Sequence, residues 1–317
     1  MNRRSFNATL LGSMGGVLIH SLRLAASATE GPPLVCGARP TAQITGRDLR
    51  AYIDSFNHRD FDTVSRYYHE DLQFEGRGRL FHSRDEMLTF YRGLGPRIRE
   101  TINVRSAVIG RDDIAAELET ELYALQDWPD FFAGSMKRGD TMRSLNFVWY
   151  DIRDGRFARI RSANYTHLNA PGSGQAEALD QCDPPPPTIS IESFKAYIDA
   201  FNRGDTETYG KYYAEDVVLV VGGEKELRGH QAIFDFYKDV RANTERTIQV
   251  NKVISSGNHL AVELQSEFVA LEDDPNFIAG PIKKGGRIFI NTFVLYDLHD
   301  GKFARIRSAV FKKIARP

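Results

Sequence analysis

Lys137 and Lys283 occupy two long apolar links, Asp127-Trp128-Pro129-Asp130-Phe131-Phe132-Ala133-Gly134-Ser135-Met136-Lys137-Arg138-Gly139 and its counterpart over 273–285. A lysine partly withdrawn from water has a lowered pKa and can act as a base or hold an oxyanion. Lysine before Arg-Gly or Lys-Gly is equally ordinary hairpin-turn chemistry. Tyr52 and Tyr197 each stand five residues before an asparagine, Asn57 or Asn202. A buried phenol can hydrogen-bond a developing enolate in a dry pocket, or it can be a core tyrosine whose hydroxyl meets the backbone. Of Tyr67-Tyr68 and Tyr212-Tyr213, Tyr68 and Tyr213 are the expected pocket members, with core packing as the alternative. The joint expectation is that Tyr52 with Lys137, and Tyr197 with Lys283, converge on one ligand oxygen to stabilise an oxyanion or relay a proton.

Other chemistries find no footing. No Gly-rich phosphate loop follows a strand, and no nucleophile elbow is present. No His-Glu-x-x-His or paired-Cys spacing suggests a metal, and the eight His are unmatched between the two halves of the chain. The expectation is therefore no metal, no cofactor, and acid–base chemistry by side chains alone.

These residues are positioned by a domain written twice. Ala51-Tyr52-Ile53-Asp54-Ser55-Phe56-Asn57 recurs as Ala196-Tyr197-Ile198-Asp199-Ala200-Phe201-Asn202. Phe157-Ala158-Arg159-Ile160-Arg161-Ser162-Ala163 recurs unchanged over 303–309. The period is too long for a solenoid, so each copy is a domain. Leu49, Tyr52, Ile53 and Phe56 share one helical face over 46–58. A second helix is expected over 62–69, and a strand pair over 71–82 turning at Gly76–Gly78. Ser83 with Glu86 reads as a capping box for a third helix. Strands follow near 100–110, 114–126, 140–152 and 156–167, the last two joined at Asp154-Gly155. Helices first and long antiparallel strands after define an α+β class. Each copy should be a cone of three helices on a curved, mostly antiparallel sheet.

The expected domains are 44–168 and 189–314, separated by a Gly/Pro-rich linker over 169–188. Two copies in one chain are expected to pair with each other, driven by apolar burial. Glu117, Glu121, Arg159 and Arg161, with Glu263, Glu267, Arg305 and Arg307, read as cross-strand charge ladders. Asp60 and Asp205 read as loop caps.

Length and charge bound the partners. The 317 residues suit two domains, and 42% apolar with 26% charged content is that of a globular chain. With 41 basic against 42 acidic residues the formal charge is −1, which gives no electrostatic case for nucleic acid. Residues 1–28 read as an export signal: Arg3-Arg4 and Phe6, an apolar stretch from Ala8 to Leu22, and a small-residue site at Ala26-Ser27-Ala28. The paired arginines resemble a twin-arginine signal. A leader, 29–43, follows. The expected location is periplasmic or otherwise exported, without stable membrane insertion after cleavage. In an oxidising compartment Cys36 and Cys182, each just ahead of a repeat, are expected to pair, or else remain free thiols on leaders.

The Tyr-Ile-Asp-x-Phe-Asn opening, the double tyrosines and the Asp-Gly-[Arg/Lys]-Phe-Ala-Arg-Ile-Arg ending resemble the nuclear transport factor 2-like superfamily, in its SnoaL-like branch. The resemblance covers roughly 44–168 and 189–314. It implies cones with apolar interiors, and it sets Tyr52 and Tyr197 where ketosteroid isomerase carries its oxyanion-stabilising tyrosine. The isomerase acids are absent: one position falls near Gly76 and Val221, with Glu75 one residue away, and the other near Asn146 and Thr292. Those two are polar pocket candidates. Ser162 and Ser308 stand where an epoxide hydrolase would want an aspartate. The functional expectation is a cofactor-independent lyase or isomerase acting on a small apolar, aromatic ligand, similar to the γ-formaldehyde lyases. The alternative is a non-catalytic ligand-binding or scaffolding protein.

Overall fold

The computed structural model describes residues 31–36, 43–172, 175–223 and 225–316. The export signal read at 1–28 lies outside the described residues. The first copy runs α1 (Gly46–Asn57), α2 (Phe61–Arg66), β1 (Tyr68–Gly76), β2 (Arg79–Phe81), α3 (Arg84–Leu94), β3 (Ile98–Ile109), β4 (Asp113–Ala124), β5 (Thr141–Arg153) and β6 (Arg156–Leu168). The second runs α4 (Ile191–Asn202), α5 (Thr206–Tyr209), β7 (Tyr213–Val221), β8 (Lys225–Arg228), α6 (Gly229–Ala242), β9 (Thr244–Ser256), β10 (His259–Ala270), β11 (Arg287–His299) and β12 (Lys302–Arg316). Each copy is α+β, with a six-stranded sheet ordered β2-β1-β6-β5-β4-β3 or β8-β7-β12-β11-β10-β9. Among the described strands β1/β6 and β7/β12 pair in parallel and the rest antiparallel.

Local chemistry explains the elements. Thr45 and Asp48 form a reciprocal capping box at α1. Leu49, Tyr52, Ile53 and Phe56 then bury one face of the helix. Asp60 and Asp205 cap α2 and α5 by accepting from the Thr63 and Thr208 amides, each at 3.0 Å. At α3 Ser83 accepts from the Glu86 amide, but the Glu86 carboxylate turns to the His82 amide at 2.8 Å, so the expected box is displaced by one residue. Asp154-Gly155 and Asp300-Gly301 all take positive φ, as a tight hairpin turn with right-handed strand twist requires. The second helix ends earlier than its pattern suggests. Tyr68 opens β1, where parallel pairing with Phe157 fixes it.

Strand alternation gives each sheet two faces. Leu118, Thr120, Asn146, Val148, Tyr150, Ile160 and Ser162 face the helices. Phe147, Trp149, Ala163 and Tyr165 face away and meet Ile254, Ala261, Phe293, Leu295 and Ala309 of the second copy in one buried cluster. The two domains therefore pack sheet against sheet within the chain.

Buried charges cross this interface. Arg161 Nη1 lies 2.6 Å from Glu263 and its Nη2 lies 3.2 Å from Asp151. The equivalent Arg307 lies 3.7 Å from Glu117 and 2.8 Å from Asp297. The expected ladder is thus corrected. β5 separates β4 from β6, so Arg161 cannot reach Glu117 of its own sheet, and each arginine takes the equivalent glutamate of the other. Glu121 and Glu267 pair instead with Arg143 and Arg287 on the adjacent strands. Lys252 adds a bridge to Asp113 at 2.7 Å and Asp151 at 2.9 Å.

The linker is not a free tether. Ala176 and Leu179 are buried in the first core, and the Arg47 amide donates to the Gln181 carbonyl. The Gly257 amide donates to the Pro185 carbonyl of the polyproline stretch. Cys36 and Cys182 form a disulfide with Cα atoms 5.7 Å apart, tying the leader to the linker.

Arg161→Ala strips a buried cation from Glu263 and Asp151, and should cost about 3–5 kcal/mol in urea unfolding. Arg159→Ala, whose partner Glu75 is more exposed, should cost under about 1 kcal/mol. Equal losses would mean that the inter-sheet pairs do not anchor the interface.

Candidate functional site

Each cone encloses a cavity between its helices and the inner sheet face, and the two cavities differ sharply. The second has a volume of about 650 Å³, the first about 90 Å³. Three contrasts between the copies set the volume and the charge of the two cavities apart. Arg77, at φ 47° in the β1–β2 turn, sends its guanidinium inward to Ser144 and to Asn146 Oδ1 at 3.2 Å. Gly222 occupies the equivalent turn at φ 61°, where a glycine is unstrained, and leaves that space empty. Phe132 lies under the Arg79 guanidinium, 4.0 Å from its ring centre, and contacts Phe90. This stack lines the first cavity, whereas the second has Ile278 and Lys225 at the matching positions. Third, Glu100 on β3 lines the first cavity, and Arg246 on β9 lines the second.

Tyr52 and Tyr197 line their cavities. Tyr68 and Tyr213 do not. They sit fully buried behind, with hydroxyls 2.8 and 3.1 Å from those of Tyr52 and Tyr197. The pocket role expected of Tyr68 and Tyr213 becomes one of holding the phenol in front. Burial pushes the Tyr52, Tyr68, Tyr91 and Tyr150 hydroxyls well above their ordinary value, and those of Tyr197 and Tyr213 likewise. At neutral pH these groups are hydrogen-bond partners rather than bases. Asn146 and Thr292 line the cavities as expected. The Asn146 amide donates to Thr120 at 3.1 Å.

Lys137 and Lys283 do not reach the cavities. A bridge between Trp128 and Met136, repeated between Asp274 and Ile282, folds each link into a narrow hairpin. Phe131 and Met136, or Phe277 and Ile282, take its buried positions. The lysines are left in the turn, where their charge keeps its water. The Lys283 side chain is 87% exposed and pairs with Asp273 at 2.8 Å. Lys137 is exposed, and its amide donates to Asp140. The links still reach the mouth of the second cone, but through Ile278, Ala279 and Gly280. The tyrosine–lysine pair that pointed to γ-formaldehyde lyase chemistry is not assembled.

The charged groups inside the cones are ones that sequence reasoning passed over. Burial pushes the Glu100 carboxyl up to about 7, against the opposing pull of Arg77. In the second cavity the described lining contains three cations, Lys225, Arg246 and Lys313, and no carboxylate. A signal was available. Along β3, Ile98, Glu100, Ile102 and Val104 alternate on the inner face, so an acid interrupts an apolar series. Along β9 the series is Thr244, Arg246, Ile248 and Val250. Among the described residues no cluster of His, Cys, Asp or Glu could hold a metal ion, and no helix is long and apolar enough to cross a membrane.

Cone-shaped α+β domains with an enclosed cavity between three helices and a curved sheet define a class built around interior ligand space. The chain belongs to the SnoaL-like domain family, whose model matches twice, over 49–160 and 194–306. Among solved structures it is similar to an epoxide hydrolase of the LEH-like type from M. tuberculosis, at 13% identity over 38% of this chain and 80% of that one, TM-score 0.31. It is similar also to a SnoaL-like polyketide cyclase from Agrobacterium tumefaciens, at 20% identity over 38% and 91%, TM-score 0.32. A third is an epoxide hydrolase/cyclase-like enzyme of salinomycin pyran-ring formation, at 24% over 38% and 88%, TM-score 0.31. No curated protein gives a significant match.

Glu100 provides a pH test. In the unfolded chain its carboxyl ionises near its ordinary 4.5, and in the fold near 7. The stability it contributes is whole below pH 4.5 and is lost as pH rises to 7. Glu100→Gln should therefore melt like the wild type at pH 4.5 and be more stable at pH 8, by about 1–3 kcal/mol. A pH-independent difference would place Glu100 in contact with bulk water.

Proposed function

We propose that this chain binds a small, largely apolar ligand in its second cone. The observation that carries this is the cavity of about 650 Å³, within the range of roughly 300–1,000 Å³ usual for ligand sites. Its walls are Phe201, Phe236, Tyr237, Phe268 and aliphatic side chains, with Tyr197, Ser266, Thr292 and Ser308 as scattered polar points. Apolar walls reward a ligand that sheds its hydration, and sparse polar groups orient it.

A second reading is favoured by one observation, Glu100. A carboxyl titrating near neutrality among phenols, with Arg77 close by, suits cofactor-independent proton transfer of the isomerase or lyase kind. That chemistry belongs to the first cone, whose size restricts it to a very small substrate or substrate arm. Export is part of the proposal. The Arg3-Arg4 start supports it, and the Cys36–Cys182 disulfide suits an oxidising compartment.

Neutral biphenyl-4-carboxamide should bind the wild type saturably by titration calorimetry. Leu264→Trp, which fills the second cavity from its wall, should abolish binding while leaving a cooperative melt. No binding to the wild type by either this amide or biphenyl-4-carboxylate, or unchanged binding to the variant, would overturn the reading. For the first cone, deuterium should enter the carbon beside the carbonyl of cyclohexanone at least tenfold faster with wild type than with Glu100→Gln. Equal rates would remove Glu100 as a base.

A further inference from the structure

The second cavity holds a charge that no carboxylate among the described residues answers. Arg246 lines it with Nη2 3.2 Å from Ser266 Oγ, and its Nε is buried without a hydrogen-bond partner among the described residues. Every buried guanidinium at the domain interface has a carboxylate, but Arg246 has none among the described ion pairs. Its surroundings are the rings of Phe201, Tyr237 and Phe268, each 5.1–5.3 Å from the guanidinium carbon. Aromatic faces steady a cation and help to exclude water, but they do not satisfy its N–H groups.

The elements around it deepen the imbalance. From α6, Arg241 packs nearby with its guanidinium on the Phe201 and Asn202 carbonyls. Desolvation and the Arg246 charge together hold Arg241 below its ordinary value. From β10, the nearest acid in sequence to Ser266 is Glu267, which faces away and is taken by Arg287 at 2.9 Å. At the mouth, Lys225 stands 4.5 Å over the Phe236 ring, and Lys313 lies against Gly280 of the hairpin link. In the first cone the position of Arg246 is held by Glu100, opposite Arg77. That cone carries its own counter-charge and the second does not.

We propose that the second cone is a receptor for an apolar carboxylate, its anionic end held by the Arg246 guanidinium and Ser266 and its apolar body held between the aromatic walls. This rests on the ligand-binding reading above and adds the charge of the ligand. The Nε–Nη edge of arginine matches the two oxygens of a carboxylate, and a charge-assisted bond in a low-dielectric site is worth more than one in water. Lys225 and Lys313 at the rim raise the local concentration of anions and speed entry. No cationic or acid-seeking ligand suits this cavity, since its described lining offers no carboxylate.

The test compares biphenyl-4-carboxylate with biphenyl-4-carboxamide by calorimetry at pH 7.5 in low salt, against wild type and Arg246→Met. Methionine keeps an apolar stem against the three rings. The carboxylate should bind wild type at least tenfold more tightly than the amide, and Arg246→Met should remove that preference while leaving amide affinity within about twofold. Equal affinity for the two probes overturns the carboxylate inference and leaves the ligand-binding reading standing. Failure of both probes overturns both. A carboxylate preference that survives Arg246→Met overturns the role of Arg246. Should that variant not fold, the two probes on wild type still decide the sign of the ligand, and raised salt should weaken the carboxylate alone.

Discussion

The reciprocal pairs Arg161–Glu263 and Arg307–Glu117 determine what the rest of the molecule can do. Each sheet has two faces, and one must be covered. In this chain the outer face of the first sheet covers that of the second, and the two arginines fix the register by taking equivalent acids across the pseudo-twofold. Unpaired, any one of these four charges would be stranded among Trp149, Phe293 and Leu295. With the outer faces committed, only the inner faces remain for ligands, and the three helices of each copy roof them.

Pairing of this kind tolerates divergence inside the cones. The interface repeats Ala115, Phe147 and Ala163 as Ala261, Phe293 and Ala309 together with the reciprocal Arg–Glu pairs, while the side chains that line the cones do not enter it. Arg77 against Gly222, Glu100 against Arg246, and Phe132 against Ile278 change charge and volume without touching the interface. Two consequences follow. The first cone is filled by its own side chains and carries a balanced acid and base. The second is hollow, and its charge is unbalanced. A tandem chain can hold such unlike cones in fixed proportion, which a homodimer of one gene copy cannot.

Much of this was legible in the sequence, and the failures have physical reasons. The duplication and the succession of helices and strands follow from repeat matching and alternation, and the inward facing of Tyr52, Tyr197, Asn146 and Thr292 follows from the family resemblance. Of the two readings of Lys137 and Lys283, the hairpin turn is the one that forms. Phe131 and Met136 satisfy the apolar demand of the hairpin, so the charge has no reason to leave water. Tyr68 misled because a residue at a helix end was read as pocket lining, whereas it begins a strand beneath Tyr52. Arg161 misled because a period of two gives a face but not the partner on that face. Cavity volume was the least legible feature, since it depends on where Arg77 and Phe132 swing. The charge contrast between Glu100 and Arg246 was readable from matched strands but was not read.

The central claim is that the two cones are no longer equivalent, and ligand stoichiometry tests it most directly. A crystal structure of the full chain soaked with biphenyl-4-carboxylate, with occupancy checked by native mass spectrometry, should show one ligand per chain, in the second cone beside Arg246. Two ligands per chain, or density in the first cone with Arg77 and Phe132 displaced, would contradict it.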